Sequence, residues 1–82
     1  MAASEIEKRV TRLIDSHYNR QRIEVLPGAT LRSGLRMDSL DILDLQLELE
    51  YEFDIDINDD DMEAVDCVSE IVLMIGNKLR KG

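Results

Sequence analysis

Asp38-Ser39-Leu40-Asp41-Ile42-Leu43-Asp44-Leu45-Gln46-Leu47-Glu48-Leu49-Glu50-Tyr51-Glu52-Phe53-Asp54-Ile55-Asp56-Ile57 is the stretch that decides between a helical and a β reading of this chain. From Leu43 to Ile57 every odd position is apolar and every even one is Asp, Glu or Gln. Alternation of that length is a strand signal. Three features outweigh it over 39–53. After Ile42 that span contains no β-branched residue and is built from Leu, Glu, Asp and Gln, which favour helix. No second convincing strand exists to pair with it, and a lone strand is not stable. Asp38 stands directly before it as a good helix N-cap. The expectation is a helix over 39–53, followed by an extended Asp54-Ile55-Asp56-Ile57 connection.

Wound as a helix, the alternation gives two apolar stripes. Ile42, Leu45, Leu49 and Phe53 form one; Leu40, Leu43, Leu47 and Tyr51 form the other, nearly opposite. Asp41, Asp44, Glu48 and Glu52 fill one gap between them. A small domain buries one stripe of a helix well. The second stripe is expected to face outward as a partner surface, with Leu40, Leu43 and Leu47 at its centre and Asp38, Asp41, Asp44 and Glu48 at its rim. If the helix is instead central, both stripes are core.

Working outward, Ser4-Glu5-Ile6-Glu7 reads as a capping box. Ile6, Val10, Leu13 and Ile14 then fall on one helical face, and Tyr18 extends it, so a first helix is expected over about 4–19. His17 near its end suits the helix dipole. With no second His or nearby Cys it is not read as a metal ligand. Residues 20–37 form a long connection made basic by Arg20, Arg22, Arg32 and Arg36. It contains the Leu26-Pro27-Gly28 turn signal and a short turn at Thr30-Leu31, and Leu31 and Leu35 pin it to the core. After Ile57, a short helix is expected from Asn58 or Asp59, with Met62 and Val65 facing inward. A last helix is expected over about 67–79, capped by Asp66 and burying Val68, Ile71, Val72, Ile75 and Leu79. Lys78, Arg80 and Lys81 suit its C-terminal end. The fold class is all-α: a small four-helix bundle with a long first connection and a short third helix, in one domain spanning 1–82.

The net charge of −8 is unevenly placed. Residues 38–77 hold 14 Asp or Glu and no Lys or Arg, while the rest hold all ten basic residues. Such an acidic region repels nucleic acid and anionic lipid, and attracts basic protein surfaces and divalent cations. A weak divalent site at Asp54, Asp56, Asp59 and Asp60 is therefore considered. Asp54-x-Asp56-x-Asn58 begins like an EF-hand loop, but Asp59 stands where Gly is needed and Val65 where Glu is needed, so no specific metal site is assigned. The chain has no Trp and few aromatics, against base stacking. It has no apolar run of 18 residues and no signal-peptide pattern, so no membrane span is expected. Cys67 is the single cysteine, which fits a reducing cytoplasm, and it lacks a catalytic partner. No Ser–His–Asp set, paired carboxylates, CxxC or Gly-rich phosphate loop is present, so no enzyme is predicted.

Ser39 is the chemical centre of this reading. It follows the Asp38 cap, so its hydroxyl sits in the first turn of the helix, at a solvent-facing corner where free N–H groups welcome an anion. Without a base it is a poor nucleophile of its own, but a good acceptor for a group attached by another enzyme.

Asp38-Ser39-Leu40, followed by Asp41 and the acidic Leu-rich helix, resembles the acyl carrier protein family. Length, acidity and the four-helix pattern extend the resemblance from the first helix to the last. The family's usual approach is Leu-Gly-x-Asp-Ser-Leu; here Arg36 stands at the Gly position and Met37 follows it. Tyr51 stands where a third consecutive acid is common. These departures point to a specialised carrier. The resemblance implies that Ser39 carries 4′-phosphopantetheine, added from coenzyme A by a phosphopantetheinyl transferase, with an acyl group held on its thiol as a thioester. It also implies a cytoplasmic monomer whose partners are acyl-transferring and acyl-modifying enzymes with basic docking surfaces. Leu49, Ile57, Met62, Val65, Ile71 and Ile75 are candidates for lining an acyl pocket, and equally plain core residues. The alternatives are an amino-acyl or D-alanyl carrier, and an acidic, cation-responsive interaction module without a prosthetic group.

Overall fold

In the computed structural model, the stretch from Ser39 to Phe53 is helical throughout. The structure describes residues 1–19 and 23–81, and for Lys81 the backbone alone. Arg20 and Arg22 of the basic connection lie outside the described residues. Among the described residues the chain forms four helices and no strand: α1 (Ala3–His17), α2 (Ser39–Phe53), α3 (Asp59–Glu63) and α4 (Val68–Lys81).

The α2 limits follow from its two ends. Asp38 Oδ1 accepts the Asp41 N–H at 2.8 Å, and Asp41 Oδ2 accepts the Asp38 N–H at 3.2 Å, a reciprocal capping box. At the other end Asp54 turns left-handed, at φ 53°, and the Ile55 N–H reaches back to the Glu50 carbonyl at 3.2 Å. This 6→1 bond is the Schellman way to stop a helix, with Asp in the place usually taken by Gly. α3 is closed by a second reciprocal box between Asn58 and Asp61. An ion pair from Lys78 Nζ to Asp61 Oδ2, 2.8 Å long, ties α3 to α4.

Two sequence expectations about helix starts are corrected. Ser4 and Glu7 do not form a capping box: α1 begins at Ala3, behind Ala2, with no side-chain cap, and ends at His17. The apolar stripe alone sets this helix, so its first turn is free to extend past Ser4. Asp66 does not cap α4 either. The helix begins at Val68, and the Cys67 carbonyl accepts the Ile71 N–H at 3.2 Å, so Cys67 stands before the first turn rather than in it. The first N–H groups of α4 are satisfied by the long connection instead. Val68 donates to the Ala29 carbonyl at 3.1 Å and Ser69 to the Pro27 carbonyl at 2.8 Å. Leu31 donates to the Asp66 carbonyl at 2.9 Å, and Thr30 and Cys67 pair as an isolated antiparallel bridge. Backbone thus does the capping that side chains usually do.

This zipper holds residues 27–31 of the connection against the start of α4, and Leu31, Leu35 and Met37 are buried. The core is completed by Ile6, Val10, Leu13, Ile14 and Tyr18 from α1 and its end, Leu45, Leu49 and Phe53 from α2, Ile57 and Met62, and Val68, Ile71 and Ile75 from α4. Val65, Val72 and Leu79 pack half-buried at its edge. α1 and α4 run closest to one another. Each fully buried aliphatic side chain contributes about 1.5–3 kcal/mol of transfer free energy, which is what drives these four amphipathic segments together.

Candidate functional site

The approach to Ser39 is shaped by two unusual residues. At Gly34 a Cβ would lie 2.9 Å from both the carbonyl oxygen and the Oγ1 of Thr30, so a side chain there has no room. Thr30 Oγ1 accepts the Gly34 N–H at 2.7 Å, and the Thr30 carbonyl accepts the Leu35 N–H at 2.8 Å. Two residues on, Arg36 has φ 57°, the left-handed region that L side chains disfavour. Glycine would be at ease there, and its absence explains nothing in the turn itself; the chain adopts the conformation with an arginine. Met37 then buries, and Asp38 caps α2.

Ser39 is the first residue of α2 and is exposed, and its hydroxyl makes no hydrogen bond among the described residues. It opens onto a groove of about 260 Å³ between α2 and α3. Ile42, Leu43 and Met62 form the apolar wall; Gln46, Asp59 and Glu63 line the other parts, with Arg32 reaching in from the connection. No histidine lines this groove. The site offers a free hydroxyl, an apolar shelf and one cation, but no base to make the serine a nucleophile on its own. That donor set fits an attached phosphate-linked arm better than it fits catalysis.

Along α2 the second stripe is outside. Leu40 is 76% exposed, Leu43 50%, Leu47 57% and Tyr51 89%, whereas Leu45, Leu49 and Phe53 are buried and Ile42 is half-buried. Of the expected rim acids, Asp38 and Asp44 are exposed and Glu48 is half-buried. Asp41 is corrected: it is only 8% exposed, because its carboxylate is turned back into the capping box. A first-turn position facing the N-cap serves the helix end before it serves a partner. Asp44 also has a structural role. Its Oδ2 accepts the Tyr18 hydroxyl at 2.6 Å, joining the end of α1 to α2. Burial, then this bond and the surrounding carboxylates, push the Tyr18 phenol well above its ordinary pKa.

Two site-shaping residues escaped the sequence reading. Gln46 is buried, and its Nε2 donates to the Ile57 carbonyl at 2.8 Å. One turn along, Glu50 Oε2 accepts the Ile57 N–H at 2.9 Å. These i, i+4 side chains hold the 54–58 connection, and with it the α3 wall of the groove. The candidate pocket residues Leu49, Ile57, Met62, Ile71 and Ile75 are buried core, with Val65 half-buried; of these only Met62 also lines the Ser39 groove. The acids Asp54, Asp56, Asp59 and Asp60 do not converge: among the described residues no three metal-ligating side chains gather where an ion could sit. Asp59 and Asp60 lie in the first turn of α3, while Asp54 holds the α2 stop, so backbone conformation spreads them apart.

Residues 8–75 match the family described as the phosphopantetheine attachment site. The chain belongs to that family. Its prosthetic group is 4′-phosphopantetheine. Among solved structures the chain is similar to the acyl carrier protein from Enterococcus faecalis, at 28% identity and a TM-score of 0.78, over 95% of this chain and 99% of that one. No curated protein matches the sequence. The all-α, four-helix architecture agrees with that neighbour. No helix among the described residues is long and apolar enough to cross a membrane.

Proposed function

We propose that this chain is an acyl carrier protein, one carrier unit over residues 1–82, with Ser39 as its attachment residue. The observation that carries the assignment is the exposed, unbonded Ser39 hydroxyl at the head of α2, opening onto a groove with an apolar wall, inside a chain of the phosphopantetheine family. The protein itself performs no chemistry in this reading. When bound, the arm supplies a terminal thiol that holds an acyl group as a thioester. Attachment takes phosphopantetheine from coenzyme A: a phosphopantetheinyl transferase removes the serine proton, Ser39 Oγ forms the new P–O bond, and adenosine bisphosphate leaves as the pyrophosphate link breaks.

The α2 surface supports the reading of partners. Leu40, Leu43 and Leu47 supply apolar anchors, and Asp38, Asp44 and Glu48 supply acid for the basic docking surfaces of the transferase and of acyl-transferring and acyl-modifying enzymes. Buried apolar anchors carry affinity, and rim charges mostly steer encounter. A monomer working in the cytoplasm completes the reading, consistent with the single free Cys67. The test is an intact mass after incubation with a broad-specificity transferase and coenzyme A. One phosphopantetheine is expected on the wild type and none on Ser39→Ala; modification that persists in Ser39→Ala removes the assignment.

A further inference from the structure

We propose that Arg32 is a positioning residue for the prosthetic arm, drawing the phosphate on Ser39 into the groove between α2 and α3. This rests on the reading of Ser39 as the attachment residue and adds a role for a residue in the long connection, well outside the serine motif.

Arg32 and Ser39 line one groove, together with the apolar wall of Ile42, Leu43 and Met62. Arg32 is the one cation among the residues that line it, and Asp59 and Glu63 line it too. Among the described residues the Arg32 guanidinium has no hydrogen-bond or ion-pair partner. It is therefore not committed to holding the fold. A phosphodiester on Ser39 brings one more negative charge into a protein of net −8, next to the Asp38 cap and facing Asp59 and Glu63. Without a nearby cation these carboxylates push the arm out of the groove toward solvent. A guanidinium presents a planar fork of donors that matches phosphate oxygens, and an unpaired one at the mouth of the groove reverses that push. The branched hydrocarbon that follows the phosphate in the arm then meets the Ile42, Leu43 and Met62 wall rather than water. Residues 29–31 are zipped to the start of α4, which gives Arg32 a fixed base from which to reach.

The test compares full-length wild type, Arg32→Gln and Arg32→Lys, each before and after loading by transferase and coenzyme A. Intact mass first establishes that each carries one arm at Ser39. Amide ¹H–¹⁵N shifts are then compared between the bare and loaded forms. In wild type, loading is expected to move Met62 and Glu63 as well as Leu40 beside the link. In Arg32→Gln the Met62 and Glu63 changes are lost while Leu40 still moves. Arg32→Lys, which keeps the charge, retains them at low salt and loses them as salt is raised. Unchanged Met62 and Glu63 responses in loaded Arg32→Gln, or equal loss in the Gln and Lys variants, would overturn the proposal. Wild type that takes up no arm at Ser39 fails at the mass measurement, and there the attachment reading falls along with this one.

Discussion

α1 and α2 are both 15 residues long, and they use their apolar side chains differently. On α1, Ile6, Val10, Leu13 and Ile14 all bury, and none of its large apolar residues is left outside. On α2, Leu45, Leu49 and Phe53 bury, while Leu40, Leu43, Leu47 and Tyr51 stand in solvent. One stripe is enough to hold a helix to a bundle. The surplus on α2 therefore contributes little to the fold, and a row of exposed leucines flanked by acid is what a surface made for another protein looks like. α1 is shaped by the interior alone. α2 answers to the interior on one side and leaves leucines and acid in solvent on the other.

Truncation tests this contrast most strongly. Leu49→Ala, at a fully buried site, is expected to cost about 2–5 kcal/mol, whereas Leu47→Ala should change stability by no more than about 0.5 kcal/mol. Urea denaturation of both variants measures it. Comparable losses from the two would mean that both α2 stripes are structural and that the contrast with α1 is false.

The link between the two helices comes next. Tyr18→Phe deletes the hydroxyl that donates to Asp44, and should cost about 1.5 kcal/mol, the low end for a bond to a charged acceptor because exposed Asp44 is rehydrated. The phenol is harder to ionise in the folded state than its ordinary value of 10.0. Its contribution is therefore complete below about pH 10 and disappears as the pH climbs from there toward the folded-state pKa. In a Tyr51→Phe background, the absorbance of tyrosinate should appear only well above the midpoint of a free tyrosine, or together with alkaline unfolding. A normal midpoint in a folded protein would show that the α1–α2 link is loose.

A smaller gain is expected at the entrance to α2. Arg36→Gly removes the left-handed penalty of a side chain and should raise stability by about 0.5–1 kcal/mol, read as an increased denaturation midpoint. A loss would mean that the arginine side chain contributes more than its backbone costs. Smallest in stability, and visible mainly in kinetics, is Glu48→Lys. It should leave the denaturation midpoint nearly unchanged and slow association with the transferase severalfold, the deficit shrinking as salt is raised. Slowing that ignores salt would remove steering from the account of this face.

Much of this was legible locally. Asp38 as cap and the loss of helix formers after Phe53 place α2 within its true limits, despite a strict two-residue alternation that by rule reads as strand. The opposed exposure of Leu47 and Leu49 follows from 100° per residue alone. What was missed depends on groups distant in sequence. The Ala29 and Pro27 carbonyls that satisfy the first N–H groups of α4 lie some forty residues upstream, so Asp66 looked like the obvious cap. Asp41 looked like one more surface acid, because its capping role needs the Asp38 backbone geometry as well as its own position. Nothing local marks Gln46 as buried, because its amide is committed to a carbonyl eleven residues on. The exposed place of Ser39 at the head of α2 was legible from its neighbours, whereas the presence of Arg32 in its groove was not, since only the folded connection brings the two together.

Both backbone groups of Ile57 are held by α2, its N–H by Glu50 and its carbonyl by Gln46. The helix is consequently keyed at two distant points, at its head by the Asp38–Asp41 box and near its tail by these two side chains. A rod keyed twice has no rotational play. Rolling α2 by a single residue, 100° about its own axis, breaks the grip on Ile57 and carries buried leucines into water at the same moment. The bearing of Ser39 relative to the α3 wall of its groove is thus set mechanically, by amino acids a full two turns or more away from the hydroxyl. An insertion or deletion between Asp41 and Gln46 would leave the serine motif intact in the sequence and aim it the wrong way.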